Sequence, residues 1–203
     1  MGYLISNIKD YIQKKYGNCL ILFEGNYNGI KTKFSSDIYK VEGTTIYKDA
    51  FPFAVAAYSE LSKEEKEVFT LADFYKHAII FAELDLAFPY YGVRKEFADV
   101  VWNSTRSFYH IPKTSIIKKR KFGMIEKLKD EMTKGRPVIL NFRENAESRN
   151  YFVCGLKEVN INTLKGVRTV HFLMVYDLMD FTIKYIDIKS LPFNAVFLMK
   201  GAL

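Results

Sequence analysis

Two residues near the end of the chain have the types and spacing needed to activate a nucleophile. His171 and Asp187 lie on two strand-like runs, "VRTVHFLMVYDL" and "FTIKYIDI". A hairpin centred on Met179 would place them directly opposite each other, with Cβ atoms about 4.5 to 5.5 Å apart. A carboxylate in that position orients an imidazole as a general base. A register shift of one residue would turn the two side chains to opposite faces, and both would then be ordinary structural residues.

The chain has two cysteines that could supply the nucleophile, Cys19 and Cys154. Two cysteines are too few for a disulfide framework and no CxxC pair is present, so free thiols are expected. Cys154 alternates with apolar neighbours in "YFVCGL" and is expected to fill a core strand. Cys19 could be a nucleophile, or it could be a small apolar residue in the strand-like run "CLILFEG". No cluster has metal-ligand spacing and no phosphate-binding loop is present, so no metal or cofactor is expected.

The elements that must position these residues form an α+β pattern. Apolar residues at helical spacing predict a short amphipathic helix over 3–16. Short β-branched and aromatic runs with turn residues then predict strands from 19 to about 49. A capping box at Ser62 and Glu65 begins one long helix or two abutting helices, which continue until Pro89.

Two more helices and a sheet complete the expected order. Helical patterns cover 94–106 and 121–134, and Gly135 occupies the position where a left-handed C-cap is favoured. The run of cations from Lys118 to Lys121 is expected to be a solvated loop before the second of these helices. Four strand-like runs then predict an antiparallel sheet: "RPVILNF", "NYFVCGLKEVNI", "VRTVHFLMVYDL" and "FTIKYIDI".

The chain is expected to form a single domain over 1–203, because it contains no linker composition. Residues 1–60 would form the N-terminal helix and a β-rich segment. Residues 61–135 would form the helical part, and residues 136–203 the antiparallel sheet.

Residues 122 to 190 resemble papain-like bacterial cysteine peptidases, particularly the leader-peptide-cleaving peptidases of bacteriocin exporters. In that family a "G-x-P-V-I" strand precedes a histidine that opens a strand, and an aspartate follows. The matching residues here are Gly135, Pro137, Val138, Ile139, His171 and Asp187. Ile188 replaces the usual proline after the aspartate. The resemblance implies a papain-like fold, with helices before a C-terminal antiparallel sheet and an extra β segment near the N-terminus.

The resemblance leaves two positions open for the nucleophile. In the first, Gln13, Gly17 and Cys19 match the papain-like "Gln-x-x-x-Gly-x-Cys" spacing, so that Gln13 would donate to the oxyanion and Cys19 would attack. Such a cysteine should begin a helix whose dipole lowers the thiol pKa, yet "CLILFEG" has the pattern of a strand.

In the second position, the run Tyr90, Tyr91, Gly92 and Val93 resembles the turn that ends the family's active-site helix. Counting back, the cysteine position falls near Ile79 and the glutamine position near Asp73. Neither catalytic residue would then be present, while His77 would face the same cleft. A chain of this kind could bind a peptide but could not cut it.

Three functions follow from these patterns. The leading expectation is a papain-like thiol hydrolase or acyltransferase that cleaves an amide bond of a peptide or protein through Cys19, His171, Asp187 and Gln13. The alternative is a catalytically inactive papain-like domain that binds a peptide or protein partner. The third is a structural or nucleic-acid-binding α+β domain whose likeness to the family is accidental.

The charge and hydropathy of the sequence limit which partners and which cellular locations are expected. The chain carries 30 basic and 23 acidic residues, a net charge of +7. No nucleic-acid-binding module is recognisable, and a positive surface would favour an acidic protein substrate. No apolar run is long enough to span a bilayer and no signal peptide is recognisable, so a cytoplasmic location is expected, or delivery into another cell by a route without a cleavable signal.

Overall fold

The computed structural model of the protein describes residues 3–30, 45–85, 93–145, 147–177 and 182–201. These residues form a mixed α+β fold with an antiparallel sheet, which confirms the predicted class. The helices are α1 (Ile8–Tyr16), α2 (Thr45–Ser59), α3 (Glu65–Val68), α4 (Leu71–Asp85), α5 (Ala98–Phe108) and α6 (Ile125–Thr133). The strands are β1 (Leu20–Asn28), β2 (Ile116–Arg120), β3 (Val138–Glu144), β4 (Glu147–Thr163), β5 (Gly166–Asp177), β6 (Thr182–Asp187) and β7 (Val196–Lys200).

The long strand β4 organises the sheet. One of its edges pairs with β3 in its first half and with β1 in its second half, while its other edge pairs with β5. The order across the sheet is β2-β7-β3-β4-β5-β6, with β1 joined to β4 beside this row. Every pairing is antiparallel.

Helices cover both faces of the sheet. The largest apolar cluster joins α2, α4 and α5 to one face, and Trp102, Phe53 and Phe74 are fully buried within it. On the same face, Ile8 and Ile12 of α1 pack against the second half of β4 and the first half of β5. On the opposite face α6 covers a second cluster that includes Leu173 and Ile186.

Local sequence motifs correctly predicted the boundaries of several of these elements. Ser62 and Glu65 form the predicted capping box, since the Ser62 N–H donates to Glu65 Oε2 (2.7 Å) and the Glu65 N–H donates to Ser62 Oγ (3.2 Å). Helix α3 is separate from α4, so the segment contains two abutting helices. Gly135 follows α6 with a φ of +61°, in the left-handed conformation that its position predicted.

Three other predictions are wrong. Residues 45–49 belong to helix α2 and not to a strand, because the alanine-rich run that follows buries one helical face against the sheet. Part of the predicted basic loop is the edge strand β2, whose backbone pairs with β7. The first helix begins at Ile8, since Ile5 forms an antiparallel bridge with Tyr185 instead. The remainder of the predicted N-terminal strands and Pro89 lie outside the described residues.

Within the described part of the chain, none of the helices is both long enough and apolar enough to cross a membrane.

Replacing Phe172 with alanine should destabilise the fold strongly. Phe172 is completely buried beneath α1, with its ring 5.8 Å from that of Tyr11. We expect a loss of about 3 to 5 kcal/mol in the free energy of unfolding, measured by urea denaturation. Phe193→Ala is the matched control, because Phe193 is 67% exposed and should lose less than about 1 kcal/mol. Equal losses in the two variants would contradict the packing of α1 on the sheet.

Candidate functional site

His171 is held by a carboxylate other than the predicted one. It lies on β5 directly opposite Glu158 on β4, and its Nε2 is 2.9 Å from Glu158 Oε2. Lys129 of α6 donates to the same carboxylate oxygen at 3.0 Å. The imidazole is therefore part of an ionic cluster on the face of the sheet that α6 covers.

Asp187 does not face His171. The hairpin of β5 and β6 forms as predicted, but its register pairs Asp187 with Phe172, one residue away from the predicted partner. This register buries Ile186 against Leu173, which a hairpin centred on Met179 would not do. The predicted register is therefore wrong, and the two side chains point to opposite faces of the sheet.

The carboxylate of Asp187 is instead bound to α1. Its Oδ2 accepts from Lys15 Nζ at 2.6 Å and from the Tyr11 hydroxyl at 2.9 Å, while Oδ1 accepts from the Lys189 N–H. Asp187 is almost completely buried. Asp187 thus links the end of β6 to α1. None of its described contacts involves the His171 imidazole.

Cys19 and Gln13 lie on the α1 side of the sheet. Cys19 is half-buried against the cluster that contains Phe172, and it directly precedes strand β1, so it does not begin a helix. Because Phe172 and its neighbour His171 face opposite ways, the Cys19 thiol and the imidazole lie on opposite faces. Gln13 is exposed on α1. The described contacts do not bring Cys19, His171, Asp187 and Gln13 together.

The residues of the second predicted position have structural contacts. Asp73 Oδ2 accepts from the Thr70 hydroxyl at 2.6 Å and caps the start of α4, and Ile79 is buried in the helical cluster. His77 Nδ1 is 2.6 Å from the Tyr109 hydroxyl. Tyr90, Tyr91 and Gly92 lie outside the described residues.

Cys154 is an inert core thiol. Its Sγ donates to the Met174 carbonyl oxygen at 3.2 Å, and burial raises its pKa to about 12. A thiol with so high a pKa supplies almost no thiolate at neutral pH. The prediction of a core role for Cys154 is confirmed.

A different group of polar residues meets where strands β4 and β5 separate. Pairing between the two strands begins at Val153 and Val175, so the edge of β4 before Val153 has no β5 partner. Asp49 of α2 takes that place, because its Oδ1 accepts the Asn150 N–H at 3.0 Å. A cavity of about 220 Å³ opens beside it. We call it the Asp49 cleft, and its lining residues are Leu4, Lys48, Asp49, Phe51, Pro52, Arg149, Asn150, Tyr151, Phe152, Tyr176 and Asp177.

The second oxygen of Asp49 has no hydrogen-bond partner in the described structure. The residue is 4% exposed, and its Oδ2 is fully buried. Burial raises the pKa of Asp49 to about 7, although the Asn150 N–H and the Arg149 guanidinium lower it and Glu147 raises it further. A carboxyl group that titrates near neutral pH can accept a hydrogen bond as a carboxylate or donate one as an acid.

Two asparagines fix the backbone beside the cleft. Asn141 Nδ2 donates to Asn150 Oδ1 at 2.8 Å, and Asn150 Nδ2 donates to the Val93 carbonyl at 2.8 Å. Both asparagines are buried. Because these amides satisfy each other, Asn150 holds its N–H in a fixed position toward Asp49.

The other buried carboxylates of the described chain already have cations. Glu131 contacts Arg136 and Lys127, each at 2.7 Å, at the edge of a cavity of about 570 Å³. Asp187 contacts Lys15 beside a cavity of about 640 Å³. Size alone would favour these cavities. Glu60 Oε1 and Asp99 Oδ1 are also buried without a hydrogen-bond partner, but a lysine or arginine lies on the other oxygen of each, whereas the other oxygen of Asp49 accepts the Asn150 N–H. Among the described residues, no group of His, Cys, Asp and Glu could hold a metal ion.

No family model matches the chain, and neither the curated proteins nor the solved structures include a significant match. The candidate site therefore depends on the geometry of the chain alone.

The sequence analysis missed Asp49 and Asn150. Asp49 lies in the run that was predicted as a strand, although the following "FAVAAYS" has the composition of a helix. Asn150 opens a strand-like run and carries no motif. Their contact joins residues 101 positions apart, which no local pattern indicates.

Replacing Asp49 with asparagine should change how stability depends on pH. Because the folded pKa of about 7 lies above the ordinary aspartate value of 3.8, the folded state holds the proton between these values while the unfolded state releases it. The free energy of unfolding of the wild type should then fall by about 1.4 kcal/mol per pH unit as the pH rises through this range. Asp49→Asn should remove this loss and melt at a higher temperature than the wild type at pH about 8.

Asp187→Asn provides the matched control for that measurement. Asp187 is equally buried but contacts Lys15 and Tyr11, so its replacement should lower stability by about 2 kcal/mol at neutral pH. Thermal melts of the wild type and both variants at several pH values test the difference. An Asp49→Asn variant that loses stability in parallel with Asp187→Asn would contradict the environment assigned to Asp49.

Proposed function

We propose that the chain is a catalytically silent, papain-like domain that binds a peptide segment of a partner protein in the Asp49 cleft. The observation that carries this proposal is the buried Asp49 carboxyl, which has one oxygen bonded to Asn150 and the other unpartnered beside an open cavity. An unpaired buried polar group is costly and needs an explanation, and a ligand that completes the bonding supplies one.

The residue types in the cleft support binding over thiol catalysis. A papain-like enzyme needs a thiol near the start of a helix and an imidazole on the facing strand. The N-terminal half of α2 faces β4 here, and it presents Asp49 and Phe51 toward Asn150. Cysteine and histidine are absent from the described lining of the cleft.

The dimensions and chemistry of the cleft favour part of an extended peptide. A volume of about 220 Å³ is smaller than the roughly 300 to 1,000 Å³ of typical small-molecule pockets. It suits one side chain or one chain end, with aromatic walls from Phe51, Tyr151 and Tyr176. Asp49 Oδ2 is buried in the described structure, so the carboxyl group would turn toward the cavity to accept a hydrogen bond from an ammonium, guanidinium or amide N–H of that peptide.

The thiol hydrolase remains a prediction from the sequence. It requires the Cys19 thiol to reach the His171 imidazole, and the described contacts of these residues give it no support. Iodoacetamide alkylation followed by mass spectrometry separates the two functions. For a silent domain we expect slow alkylation of Cys19 below neutral pH, at the same rate in the wild type and in His171→Ala. Rapid alkylation that disappears in His171→Ala would instead identify a thiolate paired with an imidazolium and would favour the hydrolase.

Peptide binding can be measured with ligands selected from a phage-displayed library of random peptides on the immobilised protein. A selected peptide should lose about tenfold or more in affinity for Asp49→Asn, because that variant lacks the charged acceptor. If the peptide supplies a cation, its affinity for the wild type should rise as the pH increases through about 7, since the cation favours the ionised carboxyl. Isothermal titration calorimetry at several pH values measures both effects.

Asp187→Asn is again the control, because it alters a buried carboxylate at the end of β6 that contacts α1 and does not line the cleft. Its peptide affinity should equal that of the wild type. The proposal fails if no peptide is selected, or if Asp49→Asn and the wild type bind the selected peptides equally well.

A further inference from the structure

Several large apolar side chains are exposed at the end of the molecule where β4 turns into β5. Leu164 in this turn is fully exposed, and Val167 follows it at the start of β5. Leu20, Leu22 and Phe23 of β1 are also more than half exposed. We call these five residues the apolar tip. They come from two segments far apart in the sequence, so the fold itself brings them together.

The strand register places part of the apolar tip on one uncovered face. Asn162 of β4 pairs with Leu20 on one side and with Val167 on the other, so these side chains form one row. Phe23 pairs with Asn160 on the same face, and its ring lies over Gly25. The opposite face of these strands is covered by α1. On the tip side, Lys129 of α6 reaches only as far as Glu158.

The charges around the apolar tip are positive. Lys165 lies in the turn beside Leu164. Arg168 follows Val167 and pairs with Ile161, so its side chain is on the α1 face of the tip; both cations are exposed. Neither has an ion pair with a carboxylate among the described residues. The nearby carboxylates are already neutralised, since Glu24 pairs with Lys157 at 2.5 Å and Glu158 pairs with Lys129 at 3.0 Å.

We propose that the apolar tip inserts into the interfacial region of a membrane that contains anionic lipid. A turn that projects apolar side chains between cations suits a lipid surface, where the apolar groups enter the acyl boundary and the cations bind phosphate. This site is separate from the Asp49 cleft and does not depend on the peptide-binding proposal.

A second basic region shows why charge alone does not define the site. Strand β2 carries Lys118, Lys119 and Arg120 at the sheet edge, and two exposed rings lie nearby. Those rings already have partners within the chain. The Arg120 guanidinium lies 5.3 Å from the centre of the Phe193 ring, and the Phe122 ring contacts the same ring. The pair Phe122 and Phe193 therefore provides a matched control for apolar side chains beside cations.

The test is cosedimentation with vesicles made of equal amounts of phosphatidylserine and phosphatidylcholine, compared with vesicles of phosphatidylcholine alone. The wild type should bind the anionic vesicles more tightly. The double variant Leu164→Asn/Val167→Asn should bind about tenfold more weakly or worse, since each side chain loses its apolar burial. Lys165→Gln and Arg168→Gln should each weaken binding about fivefold. Phe122→Asn/Phe193→Asn should bind like the wild type.

Fluorescence provides an independent readout of insertion. Trp102 is the single tryptophan of the chain and is completely buried, so its emission should not respond to vesicles. A tryptophan introduced by Leu164→Trp should shift to shorter wavelength when anionic vesicles are added. One introduced by Phe122→Trp should not shift. All the substituted positions are exposed, and circular dichroism melts should confirm that the variants fold.

Three results would overturn the proposal. The first is a wild type that does not bind anionic vesicles. The second is vesicle binding that the Phe122 and Phe193 variant loses while the Leu164 and Val167 variant keeps it, which would assign the membrane surface to β2. The third is a wild-type dimer that Leu164→Asn/Val167→Asn converts to a monomer without any vesicle binding. That result would make the apolar tip an interface between two copies of the chain.

Discussion

The backbone pairing of strand β4 is the constraint on which the rest of the structure depends. This strand holds β3 and β1 on one edge and β5 on the other, and the change of partner occurs at Cys154 and Gly155. The backbones are so close here that a Cβ on Gly155 would lie 3.0 Å from the Tyr27 carbonyl oxygen and 2.9 Å from the Met174 sulfur. The Gly29 N–H also donates to the Cys154 carbonyl at 2.8 Å. A residue without a side chain is therefore needed at position 155.

The separation of β4 from β5 explains why a buried carboxyl is present at all. Where β5 leaves, the Asn150 N–H needs an acceptor, and Asp49 provides it from α2. An asparagine could accept that hydrogen bond without the cost of burying an ionisable group. Glu131 and Asp187 offset the same cost with lysine or arginine partners, whereas Asp49 offsets it by holding a proton near neutral pH. The cost of this buried carboxyl is the reason for proposing that a bound ligand completes its bonding.

Local sequence patterns predicted the helices and strands of this fold better than they predicted how these elements pair and pack. The capping box at Ser62, the left-handed Gly135 and the β5–β6 hairpin all follow from residues within a few positions of each other. The register of that hairpin could not be predicted in the same way. The apolar pattern of β6 alone does not show which face of the strand is buried. A shift of one residue then moved Asp187 from the imidazole to α1. Helix α2 was missed because its β-branched and aromatic start has strand propensity, which its packing against the sheet overrides.

The two proposed surfaces lie at opposite ends of the same strand. Asn150 borders the Asp49 cleft and Asn162 underlies the apolar tip. Since a strand rises about 3.3 Å per residue, the two asparagines lie roughly 40 Å apart along β4. A peptide in the cleft would therefore not compete for space with a lipid surface at the tip. Substitutions at one end should leave the other unchanged, because effects at distant sites without shared partners are additive. The long strand that contacts Asp49 near its start also carries the apolar tip at its other end.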